Sequence, residues 1–172
     1  MLVILCAALL LTAAVGGTVA YLTTQTGTVV NTFTPSSLSC DVEESFDGSV
    51  KTNVTVKNTG DVNAYIRAVV IATWQDKDGN VYGGGKPVAD TDYTISFGSS
   101  WTQSGDYYYC NSIVKPQEST PVLITKCEPV EDKAPDGYAL NVQIIAQAVQ
   151  AEGMGSSVTN ALSAFAHAAS GN

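Results

Sequence analysis

A single histidine, His167, is all that the chain of 172 residues offers for imidazole chemistry. A zinc peptidase of the His-Glu-x-x-His kind needs two histidines on one helix face, so that mechanism is excluded. A serine or cysteine triad would have to recruit His167 from a neutral tail far from any acidic or nucleophilic cluster, and His167 therefore reads as a surface residue. Glu43-Glu44 and Glu131-Asp132 are the adjacent carboxylates. Paired carboxylates can cleave glycosides, but these sit in segments that read as turn-rich and solvated, and no catalytic role is assigned to them. The stretch from Asp76 to Asn80 (DKDGN) has the acidic spacing of a calcium loop. Its glycine arrives too early and the distal bidentate Glu is missing, so it reads as a hairpin turn. Trp74, Trp101 and Tyr107-Tyr108-Tyr109 could stack on sugar rings, although aromatic residues in strands more often fill a core. The chain is expected to be neither an enzyme nor a carrier of a metal or other cofactor.

The charge is confined to the middle. The first charged residue is Asp41 and the last Glu152, so all 24 (8 Lys and Arg, 16 Asp and Glu) lie between them. The net charge is -8 and the pI near 4.3, with the basic residues scattered singly. No basic stripe exists to neutralise phosphates, and nucleic acid is excluded as a partner.

The amino terminus reads as an address. Leu2 to Val15 is a largely apolar run, broken only by Thr12, and is followed by Gly16-Gly17 and the small-residue series Thr18-Val19-Ala20. A run this short is a signal core rather than a bilayer span. Cleavage is expected between Ala20 and Tyr21, which would leave only a transient contact with the membrane. Nothing basic precedes the run, the one departure from the usual signal pattern. Cys6 belongs to that run, and Leu5 occupies the place where lipid attachment would need a small residue.

Tyr21 to Ser39 is uncharged and rich in Thr, Val and aromatic residues, which favours extended backbone: an arm or a first strand. Beyond it Val54 and Val56 alternate with polar neighbours, and Asn58-Thr59-Gly60-Asp61 makes a turn. Ala64 to Trp74 is apolar on both parities, as a strand covered on both faces would be. Tyr93, Ile95 and Phe97 alternate again, a further strand runs from Tyr107 through Cys110 to Val114, and Tyr138 to Gln150 shows the clearest alternation. Strands without intervening helices predict an antiparallel sandwich over residues 40–152. After it, in residues 153–172, Leu162, Phe165 and Ala169 are spaced for a short helical stripe, with an unstructured end the alternative.

Cys40, Cys110 and Cys127 would remain after cleavage, and an exported protein permits disulfides. If Lys115 to Thr120 (KPQEST) is a tight hairpin turn, Cys110 lies opposite Cys127, which makes that pair the candidate disulfide; the alternative is three buried thiols. No Cys-x-x-Cys spacing suggests structural zinc.

The segment Gly16-Gly17-Thr18-Val19-Ala20-Tyr21-Leu22-Thr23, with Asn31-Thr32-Phe33-Thr34, resembles the leader and mature start of TasA/camelysin-type proteins, whose signals are cut by a dedicated SipW-type peptidase. The likeness continues through Val56 to Arg67, the KPQEST turn, and the strand ending Ala148-Val149-Gln150-Ala151. It spans most of the chain, with the leader its specific part. It implies an all-β fold of the jelly-roll or immunoglobulin-like sandwich kind, secretion to the cell surface or extracellular matrix, and self-assembly into biofilm matrix fibres. In such fibres the amino-terminal segment of one subunit completes the sheet of the next, with Val29, Val30 and Phe33 as the candidate donor residues. Some members carry the label of a metalloprotease, for which one histidine supplies no ligand set. The alternative expectation is a monomeric adhesin or carbohydrate-binding sandwich, with Trp101 and Tyr107 to Tyr109 as its stacking platform.

Overall fold

The computed structural model describes residues 38–46 and 50–170. The chain divides into two units, Met1–Pro35 and Ser36–Asn172, and all the described residues belong to the second. The expected cleavage point at Ala20 and Tyr21, and the donor residues Val29, Val30 and Phe33, lie outside the described residues.

Among the described residues eight strands form two antiparallel four-stranded sheets. They are β1 (Cys40–Phe46), β2 (Lys51–Asn58), β3 (Ala64–Gln75), β4 (Tyr93–Phe97), β5 (Trp101–Ser104), β6 (Tyr107–Cys110), β7 (Ile124–Pro129) and β8 (Ala139–Gln150), followed by a helix, α1 (Ala161–Ser170). One sheet has the order β1-β2-β7-β4 and the other β5-β6-β3-β8. The expected all-β antiparallel sandwich is what the chain forms, with a helix added at its end.

Alternation explains the core. Val54 and Val56 from β2, Ile66 and Ala68 from β3, Leu123 before β7, Ile124 and Cys127 from β7, and Val142 from β8 meet between the sheets. Ile66, Leu123 and Ile124 are fully buried, each contributing about 1.5–3 kcal/mol by leaving water.

Strand β3 is covered on both faces only over its first residues, whereas farther along its outer face Ile71 is exposed. Its even residues face the core, while on the outer face Tyr65 joins Tyr109, Ala161, Ala164 and Phe165 in a second cluster beneath α1. Arg67, between them, is held flat: its guanidinium lies 4.0 Å from the Tyr107 ring centre and 4.2 Å from that of Phe165, and its Nε donates to Gln147 Oε1. The helix begins at a reciprocal cap, where Ser163 N–H donates to Asn160 Oδ1 and the Ser163 hydroxyl oxygen accepts from Asn160 N–H, as in a capping box. Its buried stripe is Ala161, Ala164 and Phe165; Leu162 is exposed. The expected stripe of Leu162, Phe165 and Ala169 is thus rotated, because Arg67 and the tyrosines select the face that carries Phe165.

One turn is built on a buried amide. Asn58 donates through Nδ2 to the carbonyls of Val62 and Val114, and its Oδ1 accepts from Gly60 N–H. Three bonds satisfy a fully buried polar side chain and tie the β2–β3 turn to the segment entering β7.

Candidate functional site: an unpaired sheet edge and two clefts

The sequence-predicted candidates fall in several places. Cys110 lies in β6 and Cys127 in β7, in opposite sheets. Both are buried thiols facing the shared core. The hairpin register that would oppose them is not formed. The Lys115 to Thr120 segment instead runs along β2, where Glu118 O accepts from Asn58 N–H, Gln117 N–H donates to Asn58 O, and Thr120 N–H donates to Val56 O. It carries the chain from one sheet to the other, so β6 and β7 never become neighbours. Burial pushes the Cys127 thiol up to about 11, with Glu128 adding to the rise and Lys51 opposing it. Cys40, half-buried on β1, is raised by burial and then by Asp41.

Trp101 is 8% exposed, and its indole N–H donates to Pro121 O. Tyr109 is also buried, and Tyr107 lies against Arg67. The expected sugar-stacking platform of Trp101 and Tyr107 to Tyr109 is therefore mostly core. Glu43 and Glu44 lie in β1 rather than in a turn, and as successive strand residues they point to opposite faces. Glu43 accepts from the Ser119 hydroxyl, and Glu44 pairs with Lys51. The Asp76 carboxylate is occupied by its own turn: Oδ1 accepts from Asp78 and Asn80 N–H, and Oδ2 accepts from Asn80 Nδ2. These bonds, Asn80's first, hold its pKa down. Among the described residues, no three His, Cys, Asp or Glu side chains gather as metal ligands, and no helix is long and apolar enough to cross a membrane.

The feature that stands out is β8. It pairs with β3 along its whole length, from Ala64 opposite Gln150 to Gln75 opposite Ala139, and among the described residues no strand lies on its other side. The parity of its backbone follows from Ala151, which continues the register and donates to Asn63 O. Odd-numbered residues therefore bond to β3, and even-numbered ones turn N–H and C=O toward the open flank. Leu140, Val142, Ile144, Ala146, Ala148 and Gln150 are those residues. The Val142 carbonyl confirms the assignment, because Lys51 Nζ reaches it from the opposite sheet at 2.7 Å. Between this edge and β1 lies a cleft of about 400 Å³ bounded by Val42, Glu44, Lys51, Gln75, Val142 and Ile144.

A second cleft opens on the other side of the sandwich. β6 pairs with β3 only over Arg67–Val69, so beyond Val69 that flank of β3 has no β6 neighbour. There Val70 and Ala72 of β3 face Tyr93, Ile95 and Phe97 of β4 across about 620 Å³. Phe97 and Tyr108 stack across the opening, ring centres 4.2 Å apart.

Sequence reasoning identified β8 as a strand but missed its open flank and both clefts. Alternation reports which face of a strand is wet, and nothing local reports which edge is paired. Comparison of the chain with protein-family models, with curated proteins and with solved structures gives no match.

Proposed function

We propose that the protein is a secreted structural subunit of extracellular matrix or surface fibres, assembling when the Tyr21 to Ser39 arm of one copy pairs with the open flank of β8 in the next. One observation carries this reading: a twelve-residue edge strand with six outward-facing backbone positions. Native sandwiches normally shorten, bend or cover such an edge, because it templates the addition of another strand. A partner strand would satisfy those groups, and main-chain pairing of this kind is a recurrent mode of association.

The arm suits the role. It is uncharged, β-prone and longer than β8, and Val29, Val30 and Phe33 supply apolar side chains for the cleft between β1 and β8. The strand order supports a jelly-roll relationship. The trios β2-β7-β4 and β6-β3-β8 match those of a jelly roll, in which the first strand flanks the eighth. Here β1 pairs with β2 instead, leaving that flank to the arm. The leader resemblance to TasA/camelysin-type proteins supports export, cleavage after Ala20 by a dedicated peptidase, and homopolymer formation without catalysis or cofactor.

The test compares purified chains beginning at Tyr21 and at Leu38 by electron microscopy and circular dichroism. Fibres from the longer chain alone, with both folded, are expected; fibres from both would remove the arm from the mechanism.

A further inference from the structure

We propose that the cleft between β3 and β4 is a binding site for a neutral saccharide. This is independent of whether the chain polymerises, and it uses residues other than Trp101 and Tyr109, which are buried.

The cleft combines two kinds of surface. Its walls are apolar: Val70 and Ala72 on one side, Ile95 and Phe97 on the other, with Val88, 55% exposed, at the mouth. Tyr93 and Tyr108 line it too, and neither hydroxyl has a hydrogen-bond partner among the described residues. Among the described residues no buried side-chain oxygen or nitrogen is left unsatisfied, so both hydroxyls reach solvent. Burial raises both phenols, and Tyr93 further raises Tyr108. Each therefore stays protonated at neutral pH and can both donate and accept.

A ligand that fits must present apolar C–H faces and hydroxyls together, which is the surface of a pyranose ring. The volume of about 620 Å³ lies in the range of small-ligand sites, about 300–1,000 Å³. Charge selects among saccharides. The rim carries one cation, Lys86, one anion, Asp106, and the neutral amide of Gln103, while the whole chain carries -8. Its field repels uronic acids and phosphorylated sugars and leaves neutral glycans as the class.

The experiment titrates the chain beginning at Tyr21 with cellotetraose, chitotetraose and mannotetraose at millimolar concentration, read by calorimetry and by tyrosine fluorescence. Two variants accompany it. The Tyr93→Phe/Tyr108→Phe double variant removes only two hydroxyls and keeps the rings. Val88→Arg obstructs the mouth from an exposed position that the fold does not need. Binding of at least one tetrasaccharide, weakened at least about tenfold by both variants with unchanged thermal melting, is expected. No binding of any of the three, or binding unaltered by both variants, would overturn the proposal.

Discussion

Lys51 Nζ, anchored on β2, donates across the gap between the two sheets to the carbonyl oxygen of Val142 on β8, at the same 2.7 Å that separates it from both carboxylate oxygens of Glu44. An ammonium group reaching an edge carbonyl is one of the devices by which sandwiches discourage further strand pairing. In this protein it stands toward the start of β8, at the second of its six outward-facing backbone positions, beside the cleft that an added strand would enter. The same contact thus steadies the monomer and occupies a backbone acceptor that a donor strand needs.

Lys51→Met separates those two effects. The charge-assisted bonds are lost, which should lower stability by about 1–3 kcal/mol, while the Val142 carbonyl becomes available for pairing. Denaturant unfolding should therefore show a less stable monomer and light scattering a shorter lag before assembly. A slower assembly would mean that Lys51 helps receive the strand rather than holding its place.

Asn58 predicts a larger effect. Asn58→Asp places an ionised carboxylate, fully buried, against the carbonyl oxygens of Val62 and Val114 that now receive its amide. The expected cost is about 3–5 kcal/mol, seen as a lowered midpoint in urea at pH 7. Acidification should recover part of it, because the protonated acid can donate to one of those carbonyls.

Alkaline pH should weaken the fold. Cys127 is raised by burial from 9.0 to about 11, and burial also raises Tyr93 and Tyr108. These groups hold their protons more tightly folded than unfolded, so their contribution is fully present below pH 9 and declines as pH rises toward 11 and beyond. The urea midpoint should fall across that interval. In the folded protein at pH 8, Cys127 should resist iodoacetamide, reacting only after unfolding. Rapid native alkylation would contradict its burial.

The parts of this architecture that are local patterns are legible in the sequence. Val54 and Val56, the two-faced run Ala64 to Trp74, the Tyr93-Ile95-Phe97 alternation and the long series from Leu140 to Ala148 each announce a strand, and the class of fold follows from them. β1 is hidden because Asp41, Glu43 and Glu44 make it look like a solvated acidic loop, and β5 because four residues are too few for a period to show. The misplaced hairpin at Lys115 to Thr120 has a different origin. Its partner is β2, about sixty residues upstream, and the bonds from Asn58 and Val56 that direct it are long-range choices with no local trace. The site is illegible for the same reason. That Val142 turns its carbonyl to an open flank depends on where β1 lies, and that Tyr93 and Tyr108 share a cleft depends on β6 ending early.

The central claim is that β8 receives a strand from another copy, and Ala146 tests it most directly. Its N–H faces away from β3, so Ala146→Pro removes no bond to β3 yet takes a donor from the outer flank, a position where an edge strand tolerates proline. Electron microscopy of the chain beginning at Tyr21 should show fibres for the natural sequence and none for Ala146→Pro, with matching circular dichroism. Fibres of equal abundance from a folded Ala146→Pro protein would contradict the account.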